Sequence, residues 1–175
     1  MIAFRHADPR LPFLWENELQ PPARWHGAGD GPAQYLADTP DGAWAEFLRH
    51  EEIRDPADLV NIRRAVWAVD LQDEPAVAPV LPAGVLTGDR ASYPACQIEA
   101  RRLRNDHGAT RIDAPSAALL SGGARGWRVD GGLREGPLRD GRVVILYGSR
   151  PTLIGWKVMD VGQPSEQLLP RVRHF

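Results

Sequence analysis

Apolar residues along the chain fall in short runs separated by proline and glycine, and the spacing inside each run predicts its element. "MIAFR" reads as a first strand ending at Arg5, and the Pro-rich, aperiodic stretch that follows reads as loop up to Trp25. "AQYLA" (33–37) has the length and apolarity of a buried strand. Thr39 is then placed as an N-cap, with Pro40 at the first helical position and Asp41 at the positive end of the helix dipole. That helix is expected to run to about Glu52, with Ala43, Trp44, Phe47 and Leu48 forming one apolar stripe. Asp55-Pro56 restarts a short helix through Leu59 and Ile62.

"RRAVWAVDL" (63–71) is apolar on both parities and therefore predicts a strand buried on both faces. "AVAPVLPAGVLTG" (76–88) is broken by prolines and reads as extended loop. Residues 92–108 predict a second helix, with Ile98 and Leu103 on its apolar side and Gly108 as the C-cap glycine. "ATRIDAPSAALLS" gives a strand, a turn and an apolar run; the Gly-rich stretch 122–141 reads as a long polar loop. "RVVILYG" (142–148) and "TLIGWKVMDV" (152–161) close the chain as two strands around a turn at Ser149-Arg150-Pro151. Strands outnumber helices without alternating with them. The expected architecture is α+β: one compact domain over 1–175, with a mixed, mostly antiparallel sheet flanked by helices.

Composition narrows the functional classes. The apolar fraction of 43% and charged fraction of 25% are those of a globular protein, and a formal charge of −2 leaves no electrostatic footprint for nucleic acid or an anionic membrane. Cys96 is the one cysteine, so no internal disulfide or multi-cysteine metal site is expected; it reads as a packed core thiol. No signal-peptide pattern and no eighteen-residue apolar run occur, which points to a soluble, cytoplasmic protein. "GAGDGPA" (27–33) precedes a strand rather than a helix, so it is not a dinucleotide-binding turn. There is no P-loop and no GxSxG, and "HEEIR" lacks the second histidine of HExxH. No metal is expected.

Glu46 stands out among Ala43, Trp44, Phe47 and Leu48, where leucine would pack better. On a helical wheel it falls at the edge of the stripe. Two readings stay open: an exposed glutamate making contacts one turn away, or a carboxylate aimed into a cleft between the helix and the preceding strand.

Arg24-Trp25-His26, a glycine-proline loop, Tyr35-Leu36-Ala37, then Ala43 and Ala45-Glu46 together resemble the RES domain signature. The family takes its name from an arginine, a glutamate and a serine. Arg5 resembles the arginine that opens the domain, and Ser116 in "DAPSAAL" resembles the serine. His26 stands where asparagine is common, and His6 where a tyrosine often follows the first arginine. The resemblance implies a fold similar to ADP-ribosyltransferase toxins and a toxin of a toxin–antitoxin module. Such a toxin consumes NAD by hydrolysis or phosphorolysis and needs no metal. The alternatives are ADP-ribosyl transfer to a protein target and a catalytically silent domain that binds a partner. The implied partner is a small helical antitoxin, with direct nucleic-acid and membrane binding not expected and self-association left open.

Cleaving NAD between nicotinamide and ribose passes through an oxocarbenium-like state, which a nearby carboxylate stabilises. On this reading Glu46, Arg24 and Ser116 are the catalytic set. Arg5 and Arg24 bind the pyrophosphate through planar guanidinium forks. Tyr35 offers a face to nicotinamide or a hydroxyl to ribose, and Ser116 holds a ribose or amide oxygen. The rim of the site, where an antitoxin would insert, is expected at 26–32 and 121–132.

Overall fold

In the computed structural model, which describes residues 1–14, 16–17, 20–72, 74–129 and 133–175, a six-stranded sheet runs through the molecule. Its strands are β1 (Ile2–Ala7), β2 (Ala33–Ala37), β3 (Arg64–Asp70), β4 (Arg111–Pro115), β7 (Arg142–Tyr147) and β8 (Ile154–Gly162). They lie in the order β4-β7-β2-β1-β3-β8, and every neighbouring pair is antiparallel. A parallel bridge joins Val77, outside the strands, to Ile112 of β4. The architecture is α+β, as the sequence implies.

Strand β1 does not stop at Arg5 but continues to Ala7, because β3 pairs with it all the way from Ile2–Asp70 to Ala7–Ala65. Its pairing with β2 is different. These two strands meet only at Phe4–Ala37, so the sheet is split beyond Phe4 while both strands run on. Helix α1 (Pro40–His50) begins as expected: the Thr39 hydroxyl accepts from the Gly42 N–H at 3.0 Å, with Pro40 first and Asp41 in the first turn. It ends slightly earlier than Glu52, with Glu51 as C-cap. A short helix α2 (Pro56–Leu59) follows, capped by Asp55.

Residues 76–88 are not wholly extended; Ala83–Leu86 form a one-turn helix, α3, started by Pro82. Helix α4 (Tyr93–His107) closes on Gly108, whose φ of +61° is a left-handed conformation that favours glycine. Its buried side is Cys96, Glu99, Ala100 and Leu103. Ile98 is 63% exposed, contrary to the expectation, because positions 96, 100 and 103 share a face that 98 opposes. Nor is the expected loop over 122–141 unstructured at Ala124–Val129 and Leu133–Arg139. These segments pair as a two-stranded ribbon, β5 (Ala124–Val129) with β6 (Leu133–Arg139). Backbone pairing needs little from its side chains, and glycine even helps: a Cβ on Gly136 would lie 3.0 Å from the Gly126 carbonyl oxygen.

Helices α1 and α4 cover the same sheet face. Trp44 and Leu48 of α1 pack with Leu59, Val66, Leu119 and Leu168, while Cys96, Ala100 and Leu103 of α4 pack with Trp25, Ile112 and Ile145. The opposite face buries Leu36, Val69, Val144 and Leu146 under Phe13 and Leu153. No helix among the described residues is long and apolar enough to cross a membrane. The two sides of α4 should respond differently to truncation. Leu103→Ala is expected to cost about 2–5 kcal/mol and Ile98→Ala within about 0.5 kcal/mol, read from urea denaturation midpoints.

Candidate active site

The split between β1 and β2 opens a cleft of about 660 Å³. Its walls carry Arg5, His6 and Ala7 from β1, Tyr35 and Leu36 from β2, and Arg64 from the start of β3. Glu46 enters from α1, and Asp8, Leu11 and Phe13 line it from the loop after β1. Of the expected site residues, Arg5, Tyr35 and Glu46 therefore share one cavity.

Glu46 is half-buried, and its environment explains why the residue is there. Ser116 donates its hydroxyl to Glu46 Oε1 at 2.9 Å, while Ser116 Oγ itself accepts from the N–H groups of Ala118 and Leu119, each at 3.2 Å. With its lone pairs engaged, the Ser116 hydrogen points at the carboxylate. Burial pushes the Glu46 carboxyl above its usual range; the Ser116 hydrogen bond, then Arg49 and Arg24, pull it back. Ser116 is itself buried and does not line the cleft, so it orients Glu46 rather than facing a ligand.

Arg24 does not line the cleft. It is buried, stacks on the Tyr93 ring at 4.8 Å, and donates to Val85 O at 3.2 Å, Ser92 Oγ at 2.8 Å and Gly88 O at 2.6 Å. The expected contact of Arg24 with a pyrophosphate is thus not what its geometry offers. Its neighbours are similarly engaged. The Tyr35 hydroxyl accepts from the Trp25 N–H at 2.9 Å and bonds His26 Nδ1 at 3.0 Å, while His26 Nε2 bonds Pro21 O at 2.9 Å. Because a carbonyl only accepts, Nε2 carries the proton and Nδ1 accepts from Tyr35. Burial keeps His26 neutral by lowering its proton affinity, which suits that chain. Tyr35 can present its ring to the cleft, but its hydroxyl is committed. The turn 26–32 and residues 121–129 do not line the cleft either, and the rest of the expected rim, 130–132, lies outside the described residues. The loop residues that do line the cleft are Asp8, Leu11, Pro12 and Phe13.

Two arginines were missed by sequence reasoning. Arg49, one turn beyond Glu46, is buried and donates to Ala117 O, Arg173 O and Gly88 O, with Phe175 stacked on it at 4.4 Å. It ties the turn that holds Ser116 to the α1 helix. Gly88 receives both Arg24 and Arg49, and a Cβ there would lie 2.6 Å from Gly84 O, so this junction requires glycine. The i,i+3 spacing of Glu46 and Arg49 was the available signal. Arg64 was absorbed into an apolar strand pattern; it donates to His6 Nδ1 at 3.2 Å and lies over the Phe47 ring at 5.3 Å. Among the described residues no group of three or more His, Cys, Asp or Glu side chains could hold a metal ion.

A split antiparallel sheet presenting a serine-held glutamate and an arginine on the first strand defines an α+β class of small domain. The sequence model of the RES domain matches residues 2–125, and the chain belongs to that family. Arg5, Glu46 and Ser116 all lie within the matched span. No curated protein matches the chain. Among solved structures it is similar to a chain in the crystal structure of the M. tuberculosis MbcT-MbcA toxin-antitoxin complex, with a TM-score of 0.58 and 15% identity. That match covers 97% of this chain and 86% of the other, and at such identity it shows the fold alone.

His6 sits between Trp44 and Phe47, and burial, Arg64, Arg5 and His50 together pull its pKa from 6.5 down to about 3. The unfolded chain therefore takes up this proton first as pH falls. The stability held through neutral His6 is complete above 6.5 and drains progressively between 6.5 and about 3. His6→Gln keeps an acceptor for Arg64 without the titration. The expected result is a smaller loss of urea midpoint between pH 7.5 and pH 5 in the variant than in the wild type.

Proposed function

We propose that the protein is an NAD-consuming enzyme that cleaves the nicotinamide–ribose bond, and that it acts in the cytoplasm as the toxin of a toxin–antitoxin pair. The observation that carries the reading is Glu46, a carboxylate kept in a mostly apolar cleft by the Ser116 hydroxyl. Membership of the RES-domain family and a fold similar to a chain of a toxin-antitoxin complex support it. Nicotinamide leaves from a cation, so bond breaking needs no strong general acid. It needs a negative group beside the ribose as positive charge grows there. Glu46 supplies that charge and an acceptor for a ribose hydroxyl. Tyr35 offers its ring as a flat wall for the base, and Arg5 its guanidinium for phosphate oxygens. Arg24 and Ser116 take positioning roles, through Gly88 and Glu46 respectively. Water or inorganic phosphate then accepts the ADP-ribosyl group.

Incubating the purified protein with NAD, with and without phosphate, tests the reading by its products: free nicotinamide with ADP-ribose, or with its phosphorylated form. ADP-ribose found on a protein instead would assign the transferase alternative, and intact NAD would remove the enzyme reading. Glu46→Gln keeps the shape and loses the charge. Turnover is expected to fall by about 100-fold or more, with the melting curve little changed.

The partner reading follows from the same cleft. A small helical antitoxin would cover the mouth at residues 8–13, where Leu11 is exposed, and exclude NAD. Inhibition relieved by excess NAD is the expected kinetic pattern; a complex that binds NAD as well as the free protein does would reject it.

A further inference from the structure

The four arginines around the site fall into two kinds. Arg24 and Arg49 spend their donors on backbone carbonyls and a serine. Arg5 and Arg64 line the cleft and do not. Arg5 donates to the Gln34 side-chain oxygen across the split, and Arg64 makes its one described hydrogen bond to His6 Nδ1, leaving Nε buried without a partner. No carboxylate among the described residues lies within ion-pair distance of either group. Asp8, the acid beside them in the cleft wall, is held by Arg10: Oδ1 accepts from the Arg10 N–H and Nε at 2.9 and 3.0 Å, and Oδ2 from Nη2 at 2.8 Å.

We infer that Arg5 and Arg64 together form an anion subsite in the cleft, fitted to the diphosphate of a dinucleotide. The identity of the ligand rests on the NAD reading; the site rests on two guanidinium groups that line the cleft without an ion pair among the described residues, the nearby Asp8 acting on Arg64 only at longer range. Their mutual repulsion is visible in Arg5, whose pKa is drawn down to about 10, first by burial and then by Arg64. Two like charges held together with unused donors cost free energy, which a ligand carrying adjacent negative groups would recover. Each fork can grip one phosphate, so a diphosphate satisfies both where a single carboxylate would satisfy one. His6 completes the arrangement. As a neutral acceptor it fixes the Arg64 fork, which otherwise rests only on the Phe47 face. Arg64 thereby takes the pyrophosphate role that the sequence suggested for Arg24.

Titration calorimetry with ADP-ribose and with inorganic pyrophosphate tests the subsite apart from turnover. Wild-type protein is expected to bind both, and Arg64→Gln to weaken both by about 10- to 100-fold, as for loss of a hydrogen bond to a charged group. Arg64→Lys keeps the charge without the fork and should recover part of the loss, which also serves if the glutamine variant folds poorly. NAD turnover should show a raised KM with kcat less affected. Unchanged affinity in folded Arg64→Gln, or no binding of either anion by the wild type, would overturn the subsite. Anion binding that depends on Arg64 without any consumption of NAD would leave the subsite standing and remove the enzymatic reading. Consumption of NAD with the same KM in Arg64→Gln would do the reverse.

Discussion

The separation of β1 from β2 beyond Phe4 is the constraint on which the rest of the structure depends. An antiparallel pair normally closes its ladder along its whole length, since each unmade backbone hydrogen bond costs free energy. Here β1 keeps its full ladder with β3 while contacting β2 at one register position. The gap turns the middle of the sheet into a cleft, with Arg5 and His6 on one lip and Tyr35 and Leu36 on the other. Because α1 packs across the same strands, its edge residue Glu46 is delivered to the opening rather than to bulk water.

A charged residue at that position needs support, and the chain provides it from distant segments. Ser116 sits at the end of β4, its backbone N–H given to Gly141 O and its hydroxyl to Glu46. The turn that follows is gripped from beyond by the last residues, with Arg173 N–H donating to Ala118 O and Leu120 N–H to Arg171 O. Arg49 closes the loop by joining this turn to α1 and to Gly88. A carboxylate held in this way loses little entropy when a ligand arrives, which is what preorganised charge stabilisation requires.

The arginines show how the satisfaction of donors separates structure from binding. A guanidinium has five N–H groups, and one buried among carbonyls uses them to cross-link the backbone. Arg24 and Arg49 do this at a shared oxygen, Gly88 O, and neither lines the cleft. Arg5 and Arg64 face a cavity with capacity unused. Residue type is the same in all four; surroundings divide them.

By itself the sequence determined the local elements. Capping at Thr39, proline at 40, glycine at 108 and the apolar periods of 33–37, 64–70 and 142–147 act over a few residues, so they are readable without tertiary context. The short motifs around Arg24, Tyr35, Glu46 and Ser116 likewise identified the family, since their order is a property of the chain. What only the tertiary structure decided is which of these side chains meet. The Gly-rich strands β5 and β6 exist because the two segments pair with each other, a choice that neither segment's composition carries. Ile98 is outside because the helix turned Cys96 inward. Arg24 lies against α4 and Gly88 rather than in the cleft, and Arg64 lies in the cleft, because strand register and helix docking set three-dimensional neighbours. Partners such as Arg49 and the Arg173 carbonyl, 124 residues apart in the chain, leave no trace in local spacing, and such partners determine which arginine is held by backbone and which faces the cleft.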